Sequence, residues 1–517
     1  MNQWNIPKSL ICLLILFLTL LAFIAPLNNG FAIGGDDQFE LGKASLLHRT
    51  PELSLRLNND QPWLNTIIIA KAFNVFGENA AVPRLFNLLL FFSLVFGIWT
   101  LAGKRYSVLF KVAFLCYFIT ANEVAILAIS AMLEPSALAF AVLAIAFSWK
   151  DDGNVVWWRS YLAGILFAMA VFTKLTALLV IPAWCVLIFW GKAKRVERAI
   201  SLLRMLLSFI CVMLIVIIIS PTFSFDSMWI SHQKASQIIK ANSLSGNEFD
   251  ISNVFHEWSV IFAIALGVIG VVLKRNIYSL RITLFAIVWL LTDFIVFANH
   301  RPWWGYYSFH FHIPIAILAA QGADFVIREA WKGIACSSEK TSEPSLCVFR
   351  KIKPITLSNI YAVLAATVIA CWIGFRLPPL WKEIDSIHSE ENARDNEFIP
   401  IIQTLANKVK WIYISNSNIG FHCGVQQPPE LIIRTYKRII TGELSKNGIL
   451  EIIKLYHPEL LLLSRTGEMK DERFLKILDS GHYKCIMWTA NYQLWAAGSL
   501  HLEPAKTPTE IVHELRI

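Results

Sequence analysis

The stretch Gly34 to Ala44, GGDDQFELGKA, places Asp36, Asp37 and Glu40 directly after an apolar run over 10–27. A carboxylate can take a proton from an attacking hydroxyl. Charge is costly inside a bilayer and cheap just outside it, and these acids fall where a chain would leave one. Three further places concentrate polar groups. Glu134 stands in AMLEPSALAFAV at the end of an apolar segment, followed by Pro135. Lys174 sits in AVFTKLTALLV between two short apolar runs with no other charge nearby. The stretch Asn299 to His312, NHRPWWGYYSFHFH, sets His300, Arg301, His310 and His312 among Trp303, Trp304, Tyr306 and Tyr307. Cations at membrane depth can hold a departing phosphate, and Tyr and Trp rings can stack on a sugar or lie along a lipid tail. Each place taken alone has a plainer reading. The aspartates can be solvated loop charges and Glu134 a complement to a helix dipole. Lys174 can snorkel, and 299–312 can be an aromatic belt with a basic anchor. Two histidines at i and i+2 fit a belt poorly.

The elements that must position these groups are set by composition. Of 517 residues, 56% are hydrophobic and 16% charged, against about 45–50% and about 25% in soluble domains. The excess falls in blocks long enough to cross a bilayer, roughly 17–25 residues. The chain therefore reads as a mainly α, polytopic membrane protein. About eleven spans are expected, centred on 10–27, 84–102, 107–121, 130–148, 160–173, 175–190, 202–220, 258–273, 282–298, 309–327 and 357–375. The first reads as an uncleaved span rather than a signal peptide.

The net charge of +9 needs no nucleic acid. Lys104 and Arg105, then Lys192, Lys194, Arg195 and Arg198, then Lys274 and Arg275, then Lys332, Lys340, Arg350 and Lys351 gather in alternate loops. The positive-inside bias puts those loops and the N-terminus in the cytoplasm. Asp36, Asp37 and the tail from Trp381 to Ile517 then lie outside. The nine cysteines show no metal spacing. Cys423 and Cys485 could pair only if the tail is extracytoplasmic.

Residues 28–83 form a large first outer loop. Within it, Pro62 to Phe76 reads as an interfacial helix with Leu64, Ile68, Ala72 and Val75 on one face and Lys71, Asn74 and Glu78 on another. In the tail, WIYISNSN and PELLLLSR read as short buried strands, and Ile399 to Lys408 and Lys446 to Tyr456 as helices. The expected division is a transmembrane region, 1–380, and a small extracytoplasmic α/β domain, 381–517.

Between Leu10 and about Pro182, and more weakly over 299–320, the chain resembles the GT-C glycosyltransferases. The similarity is to the branch shared by protein O-mannosyltransferases and the bacterial aminoarabinose and related lipid-linked sugar transferases. The features that carry it run in order: Asp36-Asp37 after an apolar span, NDQPWLN, FGENAAVPRLFN with Gly77 and Arg84, Glu134-Pro135, and GILFAMAVFTK with Gly164 and Lys174. The resemblance implies an inverting transfer of a sugar from a polyprenyl-phosphate donor to a hydroxyl of a lipid, glycan or protein at the outer face. It places the chain as a multi-pass protein of the bacterial inner membrane. It makes Asp36 the base, Glu134 the second acid where Asp is commoner, and Lys174 the lysine of the TK pair. In a tight turn after Gly34-Gly35, only one aspartate faces the acceptor. Asp37 is left to the loop's hydrogen bonds or to positioning substrate. Gln61, Arg84, His300, Arg301, Tyr306, Tyr307 and His310 complete the expected substrate-binding set. Gln61 is a departure, because a phosphate-binding lysine matches it in aminoarabinose transferases. Arg84 and Arg301 are the available substitutes. Some members use a divalent cation and others do not. No metal-ligand spacing is visible here, so none is assigned. The rival class is a transporter or flippase of lipid-linked glycans. Transporters place polar sites near the midplane on broken helices in inverted repeats. Here the acids lie at span ends and no repeat is visible.

Overall fold

The computed structural model describes residues 8–28, 33, 36–103, 106–148, 156–190, 194–220, 225–241, 264–265, 277–301, 303–339, 374–388, 397–415 and 417–502. Gly34, Gly35, Lys104, Arg105, Lys192, Lys274, Arg275, Lys340, Cys347, Arg350 and Lys351 lie outside these residues, as do the side chains of Lys332 and Cys336. Nearly all of the spans expected at 258–273 and 357–375 lies outside them too.

Thirteen helices precede the tail among the described residues. They are α1 (Lys8–Ile24), α2 (Asp37–Arg49), α3 (Leu64–Phe76), α4 (Ala81–Ala102), α5 (Val108–Ile119), α6 (Asn122–Ala128), α7 (Leu133–Ser148), α8 (Trp157–Thr173), α9 (Ile181–Phe189), α10 (Arg195–Ile219), α11 (Phe225–Ala241), α12 (Ile277–Phe297) and α13 (Ser308–Glu339). Among the described residues, α4, α10 and Leu280–Phe297 of α12 are long and apolar enough to cross a membrane. A fourth is reached if α5 and α6 count as one span. The expected count of eleven is thus met only in part. α5 occupies the expected segment 107–121, and α6 continues from it at an angle of 81°. The Thr120 hydroxyl donates to the Cys116 carbonyl at 2.6 Å, and the chain is extended at Ala121. A side chain that bonds back to the preceding turn favours such a bend.

The bundle core is built by small residues. In α7, Ala137, Ala139, Ala141 and Ala144 are buried, so neighbouring backbones can approach closely. Helix α8 meets α10 the same way. Ser160 Oγ and Ser201 Oγ lie 2.7 Å apart, and a Cβ on Gly164 would fall on the Met205 carbonyl and Ser208 Oγ.

In the first outer loop, α3 occupies the expected segment but buries a different face. Asn65, Thr66, Ile69, Ala70 and Phe73 are buried, whereas Val75 is 74% exposed. The reason is α2, which packs along α3 and whose His48 Nδ1 lies 2.9 Å from Asn74 Oδ1.

The tail carries a four-stranded mixed sheet in the order β1-β2-β4-β3. Its strands are β1 (Ile412–Ile414), β2 (Leu460–Ser464), β3 (Tyr483–Trp488) and β4 (Tyr492–Ala497). β1 runs parallel to β2, with Ile412 opposite Leu460, and the other pairings are antiparallel. Side chains alternate across a strand. Leu460 and Leu462 therefore pack with α14 (Phe398–Leu405), and Leu461 and Leu463 pack with residues of α16 (Lys446–Tyr456) and α17 (Glu472–Ser480). A run of four leucines suits a strand covered on both faces. The short helix α15 (Tyr436–Ile440) lies on the connection. The β3–β4 hairpin was not legible in the sequence. The Cys423 and Cys485 thiols, left open as a pair, are both free.

The tail seats on the first outer loop. Ile432 and Ile433 pack with Leu46, Leu57 and Trp63. Arg49 Nη1 donates to the Gly424 carbonyl at 2.7 Å, and Lys437 pairs with Asp60.

Candidate active site

The two adjacent aspartates have different surroundings. Asp37, in the first turn of α2, is fully buried. Arg84 of α4 donates to it from Nη2 at 2.6 Å, and the Ala131 backbone N–H donates to the same carboxylate. Arg84 Nη1 also donates to the Leu27 carbonyl at 2.7 Å. This knot joins α2 and α4 to the residues before α7. Beside it, the Asn87 side chain donates to the Ser130 and Met132 carbonyls, each at 2.7 Å. Asp37 and Arg84, both expected at the substrate, are buried in this pair and neither lines the cavity described below, so Asp37 fits the other expected role, that of holding its loop through hydrogen bonds. A neutralised, hydrogen-bonded pair is the form in which buried charge is tolerated.

Asp36 is the N-cap residue of α2, yet its side chain makes no cap hydrogen bond. Its carboxylate faces Tyr306 instead, with which it lines a cavity. Burial raises its pKa above the ordinary value of 3.8, and the neighbouring Lys174 charge and Tyr306 hydroxyl oppose that rise. Asp36 thereby becomes a stronger base than a solvated aspartate.

Glu134 and Lys174 form a buried ion pair. Glu134 lies in the first turn of α7, and Lys174 is the extended residue that ends α8. The Lys174 ammonium stands 4.6 Å from the centre of the Tyr306 ring and 5.5 Å from that of Tyr307. Glu134 Oε2 has no hydrogen-bond partner and is buried. The expected acid, the expected lysine and the two tyrosines therefore converge beside Asp36.

A cavity of about 210 Å³ opens in front of them. Asp36, Tyr306, Tyr307, His300 and Gln61 line it, as expected for substrate-binding groups. Glu134 and Lys174 stand against its tyrosine wall rather than in it. Arg301 is partly exposed and does not line it. His300 is held down to about 4, first by burial and then by the Lys174 and Lys437 charges, so it is neutral at pH 7. Its Nε2 lies 3.3 Å from the Tyr307 hydroxyl. His310 does not line the cavity: it is fully buried, 5.3 Å edge-on to the Phe297 ring, with neither ring nitrogen hydrogen-bonded. His312 points elsewhere, 3.5 Å from Glu123. Residues two apart on a helix face away from each other, which is why the pair does not share a site.

Two groups of lining residues were missed. Lys43 is buried and bonds Glu40 at 2.6 Å. Its signal was present, because Asp36, Glu40 and Lys43 are spaced i, i+4, i+7 and fall on one helix face. Burial also raises the Glu40 pKa, with Lys43 opposing it. The second group, Ile433 to Lys437, comes from the tail. No local pattern announced it. Among the described residues, no three His, Cys, Asp or Glu side chains are grouped to hold a metal ion.

Two solved structures share this architecture. One is ArnT from Cupriavidus metallidurans bound to undecaprenyl phosphate. It aligns with a TM-score of 0.63 at 12% identity, covering 95% of this chain and 98% of that one. The chain has the ArnT fold. The apo ArnT structure from the same organism agrees, with a TM-score of 0.61, 13% identity and the same coverage. The ArnT fold thus spans the helical bundle and the tail together, whereas the motif resemblance reached only Leu10 to about Pro182 and, more weakly, 299–320. No family model matches the sequence, and no curated protein matches it either.

Proposed function

We propose that the chain is an inverting membrane glycosyltransferase that moves a sugar from a polyprenyl-phosphate donor to an acceptor hydroxyl. The observation that carries this reading is Asp36. It is a carboxylate at a cavity wall, released from capping and set beside Tyr306, with the Glu134–Lys174 pair behind that ring. The ArnT fold, whose solved example holds undecaprenyl phosphate, supports a donor of that class. The acceptor O–H proton passes to Asp36. The oxygen forms a bond to the anomeric carbon from the face opposite the phosphate. The bond from that carbon to the phosphate oxygen breaks, and its electron pair leaves with polyprenyl phosphate. Glu134 holds the Lys174 ammonium against Tyr306 and Tyr307, so positive potential lies at the wall the leaving group meets. The site end of the bundle faces the outside, with 381–517 as an extracytoplasmic domain over it.

The test is sugar transfer from a polyprenyl-phosphate donor by purified protein. Asp36→Asn keeps shape and removes the basic oxygen, so the rate should fall about 10²–10⁴-fold. In the wild type, transfer should rise as Asp36 loses its proton. The raised pKa therefore puts the acid limb of the rate profile above the ordinary aspartate range. Wild-type transfer by Asp36→Asn would make the acids loop charges and return the transporter reading.

A further inference from the structure

Gln61 lines the cavity where a lysine is expected to meet the donor phosphate, and an amide carries no charge. The substitutes named from the sequence do not fill the gap, because Arg84 is buried against Asp37 and Arg301 does not line the cavity. The lining residues themselves supply three cations. Lys43 is neutralised by Glu40, and Lys437 by Asp60. Arg434 differs. Among the described residues its partners are the Tyr413 hydroxyl, at 3.0 Å, and the Ile414 carbonyl, neither of them a carboxylate. Its Nε is buried with no hydrogen-bond partner. A guanidinium at a cavity wall with no carboxylate partner among the described residues keeps its charge for an oxyanion, which it can meet through a charge-assisted N–H bond.

We propose that the tail supplies the missing phosphate-binding charge, with Arg434 and Lys437 gripping the donor phosphate in place of a lysine at Gln61. The inference rests on the glycosyltransferase reading, since that reading brings a phosphate into this cavity. Arg434 is poised for the anion as it stands. Lys437, in α15, is held by Asp60, which the incoming phosphate competes with for the ammonium. The tail is then part of the binding site and not merely a cover over it.

The experiment compares the affinity of the full chain in detergent for undecaprenyl phosphate and for undecaprenol. The readout is the ratio of the two, which an unfolded fraction does not change. Arg434→Gln and Lys437→Gln should each reduce the preference for the phosphate about tenfold or more, as expected for losing a charge-assisted bond. Asp60→Asn should move the ratio the other way, because it removes a carboxylate that competes with the phosphate for Lys437. A purely structural strut would lose in the same direction from either partner. If the wild type shows no preference for the phosphate, the glycosyltransferase reading fails. If the wild type prefers it and Arg434→Gln keeps that preference, or if Asp60→Asn weakens it as Lys437→Gln does, only the present inference is overturned.

Discussion

Asp36 and Asp37 are the same residue type one bond apart, and their surroundings give them opposite roles. Asp37 stabilises the fold as half of a buried pair. Losing one member of such a pair costs about 3–5 kcal/mol, so Asp37→Asn should lower the melting temperature of the purified protein. Asp36 is half-buried, and the burial of its carboxyl raises its pKa against the opposing Lys174 charge. A carboxyl whose folded pKa is raised contributes stability below its unfolded pKa and loses it as pH rises through the folded value. At pH 7 the ionised Asp36 is therefore a destabilising group. Asp36→Asn should raise the melting temperature at pH 7 and abolish the difference at acid pH, while transfer is lost. Thermal melts of both variants across pH check the pair of signs. A lower melting temperature for Asp36→Asn at pH 7 would mean that this carboxylate supports the fold as Asp37 does.

At the scale of elements, the site is as accurate as the contact between α8 and α10. Lys174 directly follows α8, so any shift of that helix moves its ammonium against Glu134 and the tyrosines. Gly164 sets the contact, because no Cβ fits between it and the Met205 carbonyl. Overpacking typically costs about 1–3 kcal/mol. Gly164→Val should destabilise the protein by that order and reduce transfer as well, measured by melting and by assay at equal inserted protein. Unchanged melting would show that the helices can part freely there. The break between α5 and α6 shows the opposite situation. The apolar composition of 107–121 suggests one span, but Thr120 and the polar Asn122-Glu123 pair turn the chain.

For the whole molecule, the residues that line the cavity come from both ends of the chain, Asp36 to Lys43 near one and Ile433 to Lys437 near the other. The contact is sealed by Ile432 and Ile433 against Leu46, Leu57 and Trp63. It places the site and the tail on one side of the membrane. The basic loops argue that this side is the outside. In a background without native cysteines, a cysteine at Ser445 should react with an impermeant label in intact cells, and one at Arg195 should not. Labelling at Arg195 alone would reverse the orientation and place the site inside.

The sequence by itself determined what short-range chemistry and periodicity encode. Hydrophobic blocks gave the membrane helices, because a bilayer requires length and apolarity in a single element. Alternation and a buried leucine run gave β1 and β2, ordered motifs pointed to Asp36, Glu134 and Lys174, and the aromatic stretch 299–312 pointed to the tyrosines. Spacing also held Lys43, one helix face from Asp36, though it went unread. Only the tertiary structure decided which of two adjacent acids is buried, that Arg84 holds Asp37 and leaves the cavity, and that His310 and His312 part company around α13. It alone brought Arg434 and Lys437 to a cavity whose other wall lies nearly four hundred residues earlier in the chain, near Asp36 and Lys43. A pairing between distant segments leaves no period or spacing in the sequence. It is fixed by which apolar surfaces can be buried together, and by which charges must then be neutralised.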